Sequence, residues 1–419
     1  ERNHFSNWLI ARGEYDLANR LRPRKVSEFE DPNDLREFLT ETLSRNRHDR
    51  QAGMVTDFKR EIYDGHAQFL RIGEGSLGGK GRGLAFINKL FNNQLVCSAF
   101  PGARMSVPRT AVICTGVFDE FMRSNELTEF ALDEHSDEEI IAAFTNAAVP
   151  HELEEDLRAF LAVADYPLAV RSSSLLEDSY YQPFAGIFDT HFLPNNQSTI
   201  GGRLQRMLAA IKLINASVYF RNDKNNTRAT GNRTEEEKMA IILQKIVGKE
   251  RDGYYYPVFS GMARSYNFYS VGPIKPEEGI AYTALGLGKT IMEGDNCLFF
   301  SPANPQVLPQ FSKPQDYLQN SQRDFFAVDM TNPSVFPEVS GEVGLAKLNI
   351  KDAEKHDVLK YLGSTYSADN DRIYTGTGRK GARIVTFAPI LKANIFPLGE
   401  ILEYFLDLGS RAMNVPVEV

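Results

Sequence analysis

The sequence predicts a mixed α/β or α+β protein with several layers. Short apolar runs at 168–174 and 239–247 have the length and composition of buried strands. Other segments, such as residues 204–211, repeat apolar residues at helical spacing. Because strand and helix signals are mixed along the chain and no fixed-period repeat is present, a layered fold of both element types is expected.

Length and composition narrow the class of protein. The chain has 419 residues, of which 42% are hydrophobic and 24% charged, so we expect two or three globular domains and no wholesale disorder. A net charge of −8 argues against chain-wide binding of nucleic acid or anionic membrane. Three widely spaced cysteines suit a reducing, cytoplasmic compartment. Since residue 1 is not Met, we expect the sequence to be an excerpt of a longer protein.

The first 70 residues read as a polar, helical extension. Asp31 can cap a helix that has Pro32 in its first turn, where a missing N–H costs nothing. The charged stretch 45–51 has no apolar anchor, and it is expected to be a linker.

A glycine-rich segment at 71–83 is the first chemical signal. It is expected to be a loop that feeds a helix carrying Leu84, Ile87 and Phe91. In Gly78-Gly79-Lys80-Gly81, glycines let the backbone approach a phosphate, and the lysine adds a full positive charge. The alternative is a flexible basic loop that binds nothing.

Further elements follow in order. We expect a strand within 107–113 and acidic helices over 133–160, where Ser136 and Glu139 form a capping box. Polar residues 222–238 are expected to form a surface connection. Strands are expected at 280–285 and 382–387, and a helix follows from Leu398.

The strand 168–174 carries the second chemical signal. Arg171 can fork onto phosphate oxygens, and the serines after it can donate to the same oxygens. Glu177 and Asp178 could pair with basic groups or lie near a metal ion. The alternative is an ordinary strand followed by a polar turn.

Two later segments allow more than one interpretation. The strand containing Gln244 could read the edge of adenine through its backbone, although a plain core strand is the simpler reading. The run 283–290 nearly makes a P-loop around Lys289, with Asp329 as a possible acidic partner. Thr283 replaces the first glycine, however, and Gly294 should end any helix after about one turn.

The glycine-rich run 375–381 also contains two basic residues. It is expected to be a tight basic hairpin turn before a strand.

Taken in this order, the motifs resemble the nucleotide-binding domain of phosphoenolpyruvate synthase and pyruvate phosphate dikinase. The resemblance covers about residues 73 to 419, and its most specific part is Val-Arg-Ser-Ser-Ser-Leu-Leu-Glu-Asp…Phe-Ala-Gly-Ile-Phe-Asp-Thr at 170–190. The segments 78–81, 107–113, 286–294 and the Gln244 strand match in the correct order.

The resemblance implies an ATP-grasp-like fold in which two lobes clamp ATP with Mg²⁺. The first lobe would span 71–238 and the second 239–419, after an extension over 1–70. Such enzymes are phosphotransferases that pass a phosphoryl group to a histidine on a separate swivelling domain, which carries it to a pyruvate site. These phosphohistidine and phosphoenolpyruvate/pyruvate domains are the implied partners; no nucleic acid or membrane is implied.

The resemblance also assigns site residues. Lys80 and Arg171 would be the catalytic cations, and Gln244 would lie beside adenine. The residues implied to bind the nucleotide are Gly78, Gly79, Lys80, Arg171, Ser172, Phe184, Ala185, Gly186, Gln244, Gly286 and Gly288.

Three departures from the family pattern leave questions open. Lys289 stands where the family has Glu, and the acidic-apolar-Glu triplet only begins at 417–419, so the metal ligands stay unassigned. No histidine has the Thr-x-His context of the phosphocarrier; all seven, including His191, are expected to be surface or capping residues. We therefore expect this chain alone not to complete turnover.

Two alternatives are a non-catalytic nucleotide sensor with the same fold and, less favoured, a P-loop NTPase. The final acceptor, whether pyruvate, pyruvate with phosphate or a glucan, is left open, as is the oligomeric state.

Overall fold

A computed structural model of the protein describes residues 4–51, 53–92, 96, 98–174, 190–220, 237–270, 274–333, 336–338 and 342–419. Outside these ranges lie Phe184, Ala185 and Gly186. The predicted surface connection 222–238 also lies outside them, except for its last two residues.

The N-terminal extension is helical through Gln51, as predicted, but within the predicted span 1–70, residues 56–57 and 69–70 belong to strands. Its helices are α1 (His4–Ala11), α2 (Tyr15–Leu21) and α3 (Pro32–Gln51), and a one-turn 3-10 helix covers Val26–Glu28. An Asp31 carboxylate oxygen accepts the Asp34 N–H at 3.0 Å, which confirms the predicted cap. The predicted linker at 45–51 was wrong, because α3 continues through it. Between Pro32 and Gly53, whose φ of +78° is left-handed, no Gly or Pro interrupts the helical run.

A six-stranded sheet forms the centre of what we call the first lobe. Its strands are β1 (Thr56–Asp57), β2 (Phe69–Ile72), β3 (Thr110–Ile113), β4 (Leu168–Ser174), β5 (Thr190–Leu193) and β6 (Met239–Lys245). The spatial order is β1-β2-β3-β6-β4-β5. The first three strands run parallel, whereas β6 is antiparallel to both β3 and β4. The predicted boundary at 238/239 therefore falls inside this sheet, since β6 is one of its two central strands.

Helices cover both faces of this sheet. On one face lies α4 (Gly78–Phe91), whose Leu84 packs near Phe69, Val112 and Ile242. The other face holds the larger core, under the helices α5 (Thr115–Ser124), α6 (Leu127–Leu132), α7 (Asp137–Asn146), α8 (His151–Val163) and α9 (Ile200–Ser217). The predicted capping box at the start of α7 is confirmed, with Ser136 Oγ accepting the Glu139 N–H at 3.2 Å.

The second lobe has its own core and two antiparallel sheets. Their strands are β7 (Lys249–Arg251), β8 (Tyr254–Tyr256), β9 (Phe259–Arg264), β10 (Ile280–Leu285), β11 (Leu298–Phe300), β12 (Asp324–Asp329) and β13 (Leu345–Asn349). The orders are β11-β10-β9 and β13-β12-β8-β7. Short helices connect them: α10 (Lys289–Met292), α11 (Pro314–Asn320) and a 3-10 turn at Pro276–Glu278. The helices α12 (Ile350–Lys355) and α13 (Leu359–Leu362) follow β13.

A third small sheet contradicts the hairpin predicted at 375–381. It contains β14 (Gly363–Ser367), β15 (Arg372–Thr375) and β16 (Ala382–Val385), and a 3-10 turn at Ala368–Asn370 joins the first two. Both β15 and β16 pair antiparallel with β14, which lies between them. The glycine-rich run is therefore a crossover from one edge of the sheet to the other. Two helices follow, α14 (Ala388–Leu391) and α15 (Leu398–Met413).

The last residues and α15 tie the second lobe together and to the first. Val419 exchanges two backbone hydrogen bonds with Ala263 of β9, at 2.7 and 2.9 Å. In α15, Phe405 contacts Phe91 of α4, with ring centroids 4.9 Å apart. Among the described residues, no helix has the length and apolar character needed to cross a bilayer.

Candidate functional site

Side chains of β4 alternate between the two faces of the sheet, and this alternation determines which of its residues can act together. Arg171 and Ser173 pair with Ile242 and Ala240 of β6, and all four side chains lie on the sheet face that α4 covers. Ser172 points to the opposite face, where its buried hydroxyl has no hydrogen-bond partner among the described residues. The structure thus separates Ser172 from Arg171, although the sequence grouped them as one phosphate-binding run.

A chain of side-chain hydrogen bonds links Arg171 to Gln244 on this face. Arg171 Nη1 donates to Gln244 Oε1 at 3.3 Å, and Gln244 Nε2 donates to Thr110 Oγ1 at 3.1 Å. Thr110 in turn donates to the Pro108 carbonyl at 2.8 Å. The threonine therefore fixes which end of the Gln244 amide faces the arginine. Two residues that the sequence analysis assigned to one nucleotide site are in direct contact.

Within the glycine-rich segment 71–83, residues 73–77 form the predicted loop, whereas Gly78–Gly81 already belong to α4. The helix begins at Gly78, whose φ of +71° is left-handed and whose N–H donates to Ser76 Oγ at 3.2 Å. The Gly81 N–H donates to Ser173 Oγ at 2.9 Å. The first turn, which contains the half-buried Lys80, is thereby held against the strand that carries Arg171. A helix N-terminus favours an anion nearby.

The run 286–288 reaches the same face of the first-lobe sheet from the second lobe. Leu287 packs with Ala169 and Ile246, which flank Arg171 and Gln244 along their strands. Gly286 has a φ of +81°, and a Cβ there would lie 2.6 Å from the Phe325 ring. Packing alone therefore requires glycine at position 286. The contacts of Gly286 and Gly288 with a nucleotide stay predictions.

Lys289 does not add a free cation to this face. Its ammonium lies 2.7 Å from a Glu293 oxygen and 3.7 Å from one of Glu342, and the side chain is only 17% exposed. The positive charge that replaces the family's glutamate is thus compensated within the second lobe.

The geometry around Lys289 does not support a P-loop. As predicted, the helix that starts there is a single turn, and Gly294 with φ of +73° follows it. In addition, β12 lies beside the loop, with the Leu287 N–H donating to the Phe326 carbonyl at 3.0 Å, but it belongs to a different sheet from β10. The Asp329 carboxylate accepts instead from the Thr331 N–H and hydroxyl, at 2.8 and 2.6 Å.

The prediction that all histidines are surface or capping residues was wrong for two of them. His191 is buried in β5, and its pairing with Val170 places it on the face away from Arg171. Burial lowers the pKa of His191 to about 4, so it is neutral at physiological pH. His356 is also enclosed, with its side chain 5% exposed and Nδ1 2.7 Å from the Tyr256 hydroxyl.

Two cavities among the described residues lie away from this face. One of about 1020 Å³ is between α15 and residues 265–266 and 275–278, and one of about 830 Å³ is between α3 and Arg104 with Arg109. Neither is lined by Lys80, Arg171 or Gln244.

Sequence reasoning missed Thr110 and Ser173. Ser173 was visible only as one of three serines, and Thr110 as part of a strand, because the face that each side chain occupies depends on strand pairing. The period-two alternation of β4 could have indicated that Ser173, not Ser172, shares a face with Arg171.

The site therefore lies on one face of a mixed sheet, where a strand arginine, a glycine-rich helix start and a buried glutamine meet. This combination of cation, helix start and amide suits the phosphates and base of a nucleotide. Residues 74–323 match the family described as pyruvate phosphate dikinase, AMP/ATP-binding domain. That segment is more than half of the chain, so the chain belongs to this family, as its sequence motifs predicted. No curated protein gives a significant match to the chain.

Proposed function

We propose that the chain is the ATP-binding part of a phosphotransferase of the phosphoenolpyruvate synthase and pyruvate phosphate dikinase type. In this proposal its two lobes clamp ATP in the ATP-grasp manner, and a phosphoryl group passes to a histidine on a separate domain. The supporting observation is that Arg171, Gln244 and the first turn of α4, far apart in sequence, share one sheet face.

The residues on that face have separate tasks in this proposal. Lys80 and Arg171 neutralise the phosphate oxygens, and the arginine fork also orients them. The Gln244 strand lies beside adenine. Phosphoryl transfer requires little covalent chemistry from the protein, so positioning and charge stabilisation carry the catalysis.

Magnesium remains part of the proposal without an assigned site. Among the described residues, no three His, Cys, Asp or Glu side chains converge on one point. Mg²⁺ that is bound through nucleotide phosphates needs only one or two protein carboxylates, which is compatible with this arrangement. When bound it would neutralise phosphate charge, and we assign no protein ligand to it.

Titration calorimetry with ATP and Mg²⁺ tests the nucleotide site. We expect binding in the wild-type chain, and a loss of roughly tenfold or more in Lys80→Ala and in Arg171→Ala, because each removes a charge-assisted contact. Lys289→Ala is the control, since the ammonium of Lys289 is paired with Glu293 and Glu342.

Two results would count against the proposal. Absence of binding at millimolar ATP would reject a preformed site, and a larger loss in Lys289→Ala than in Lys80→Ala would favour the P-loop alternative. The proposal also expects that this chain alone cannot convert pyruvate. Pyruvate-dependent AMP formation by the isolated chain would contradict that part.

A further inference from the structure

We propose that Ser173 is a positioning residue that sets the spacing between Lys80 and Arg171. This inference rests on the proposed function. The Ser173 hydroxyl accepts the Gly81 N–H and donates to the Leu77 carbonyl, both at 2.9 Å. These are the two backbone groups that close the first turn of α4. One side chain of β4 therefore holds both sides of the turn that contains Lys80.

The residues just before the helix offer one side-chain cap, and it serves Gly78 rather than Gly81: Ser76 Oγ accepts the Gly78 N–H at 3.2 Å. Leu77 occupies the N-cap position and offers no side-chain hydrogen bond. In a regular helix the Gly81 N–H would donate to the Leu77 carbonyl, four residues earlier. Here the Ser173 hydroxyl from the neighbouring strand bonds to both groups, so the closure of the first turn and the docking of the helix on β4 depend on the same atom.

Glycine at position 78 makes the close approach possible. A Cβ there would lie 1.8 Å from the Ser173 carbonyl oxygen. Ser173 itself is fully buried. The joint between the turn and the strand is thus tightly packed, and small displacements of the turn are restricted.

The same strand carries the second cation. Arg171 is two residues from Ser173 on the same face, a separation of roughly 7 Å along a strand. Because Lys80 is adjacent to Gly81, the contact with Ser173 connects both cations to one rigid element. The Gln244–Thr110 hydrogen bond does not involve Ser173, so the adenine side of the site is held independently.

This separation of tasks predicts a difference between ATP and adenosine. In Ser173→Ala we expect the affinity for ATP to fall about tenfold, since both hydrogen bonds are lost and the cations lose their fixed spacing. The affinity for adenosine, which has no phosphate, should stay within about twofold. Ser173→Thr keeps the hydroxyl and should restore the wild-type ratio of the two affinities.

Ser364→Ala is the matched control. Ser364 is also fully buried, and its hydroxyl lies 2.6 Å from Thr386 Oγ1 in the second lobe. We expect it to lower the urea midpoint of unfolding but to leave the ATP-to-adenosine affinity ratio unchanged. Both affinities are measured on the full chain. Calorimetry gives the affinity for ATP directly, and the affinity for adenosine is obtained from its displacement of bound ATP.

The outcomes are distinguishable. If wild type binds no ATP, the proposed function fails. If wild type binds ATP but Ser173→Ala weakens both ligands equally, or neither, Ser173 has only a structural role and the inference is overturned. Should the alanine variant not fold, Ser173→Cys, which exchanges the hydroxyl for a weakly hydrogen-bonding thiol, takes its place in the same comparison.

Discussion

Gly78 at the start of α4 offers a direct test of how the helix meets the sheet. Its φ of +71° is left-handed, and a Cβ there would lie 1.8 Å from the Ser173 carbonyl oxygen. The left-handed backbone costs a residue other than glycine about 1–2 kcal/mol. Relief of the overlap with a backbone atom adds about 1–3 kcal/mol. We therefore expect Gly78→Ala to lower the free energy of unfolding of the first lobe by about 2–5 kcal/mol.

Gly83→Ala is the matched control in the same helix. Gly83 is exposed, and a Cβ there would meet nothing within 4 Å. Replacing an unconstrained helical glycine with alanine should stabilise the lobe by about 0.5–1 kcal/mol. Urea unfolding followed by far-UV circular dichroism measures both changes. The reasoning is refuted if Gly78→Ala lies within roughly 1 kcal/mol of wild type, or if the two variants change stability in the same direction.

Three further predictions concern single side chains. Thr110→Val removes the hydroxyl that accepts from Gln244, and it should weaken ATP binding about fivefold in calorimetry; unchanged affinity would show that the amide needs no such support. Burial lowers the pKa of His191 from 6.5 to about 4. As the pH falls below 6.5, the unfolded chain therefore binds a proton at this histidine before the folded chain does. The folding stability that is present above pH 6.5 is lost as the pH falls toward 4. The loss should be about 2 kcal/mol at pH 5, and urea unfolding at pH 5 and 7 should show a smaller difference in His191→Leu than in wild type. Ser136→Ala removes the hydroxyl that accepts the Glu139 N–H and should cost about 1 kcal/mol in the same assay, with no loss counting against the cap.

Local sequence signals predicted most elements of the first lobe. The strand over Leu168–Ser174 and the capping box at Ser136 are as predicted, because each depends on residues close in sequence. Two of the errors arise where strand pairing between distant segments determines the structure. The Gln244 strand lies at the centre of the first-lobe sheet, and the run 375–381 crosses from one edge strand to the other.

In the candidate site too, motifs along the chain predicted some features, whereas others depend on how distant segments pair. The order of motifs selected Arg171 and Gln244, which are in contact. Sequence could not show that Thr110 orients the glutamine or that Ser173 holds the helix start, since both depend on strand register. It also could not show that Glu342 compensates Lys289 from a distant part of the chain.

The short segment 417–419 has a consequence for solubility. It pairs with β9, which is otherwise the outer strand of its three-stranded sheet. Deletion of these residues would leave the N–H and C=O groups of Ala263 without their partners. An uncovered row of such groups is a template on which a second molecule can add a strand. A shortened chain, which also loses the packing of Val417 against the second-lobe core, should consequently self-associate with increasing concentration.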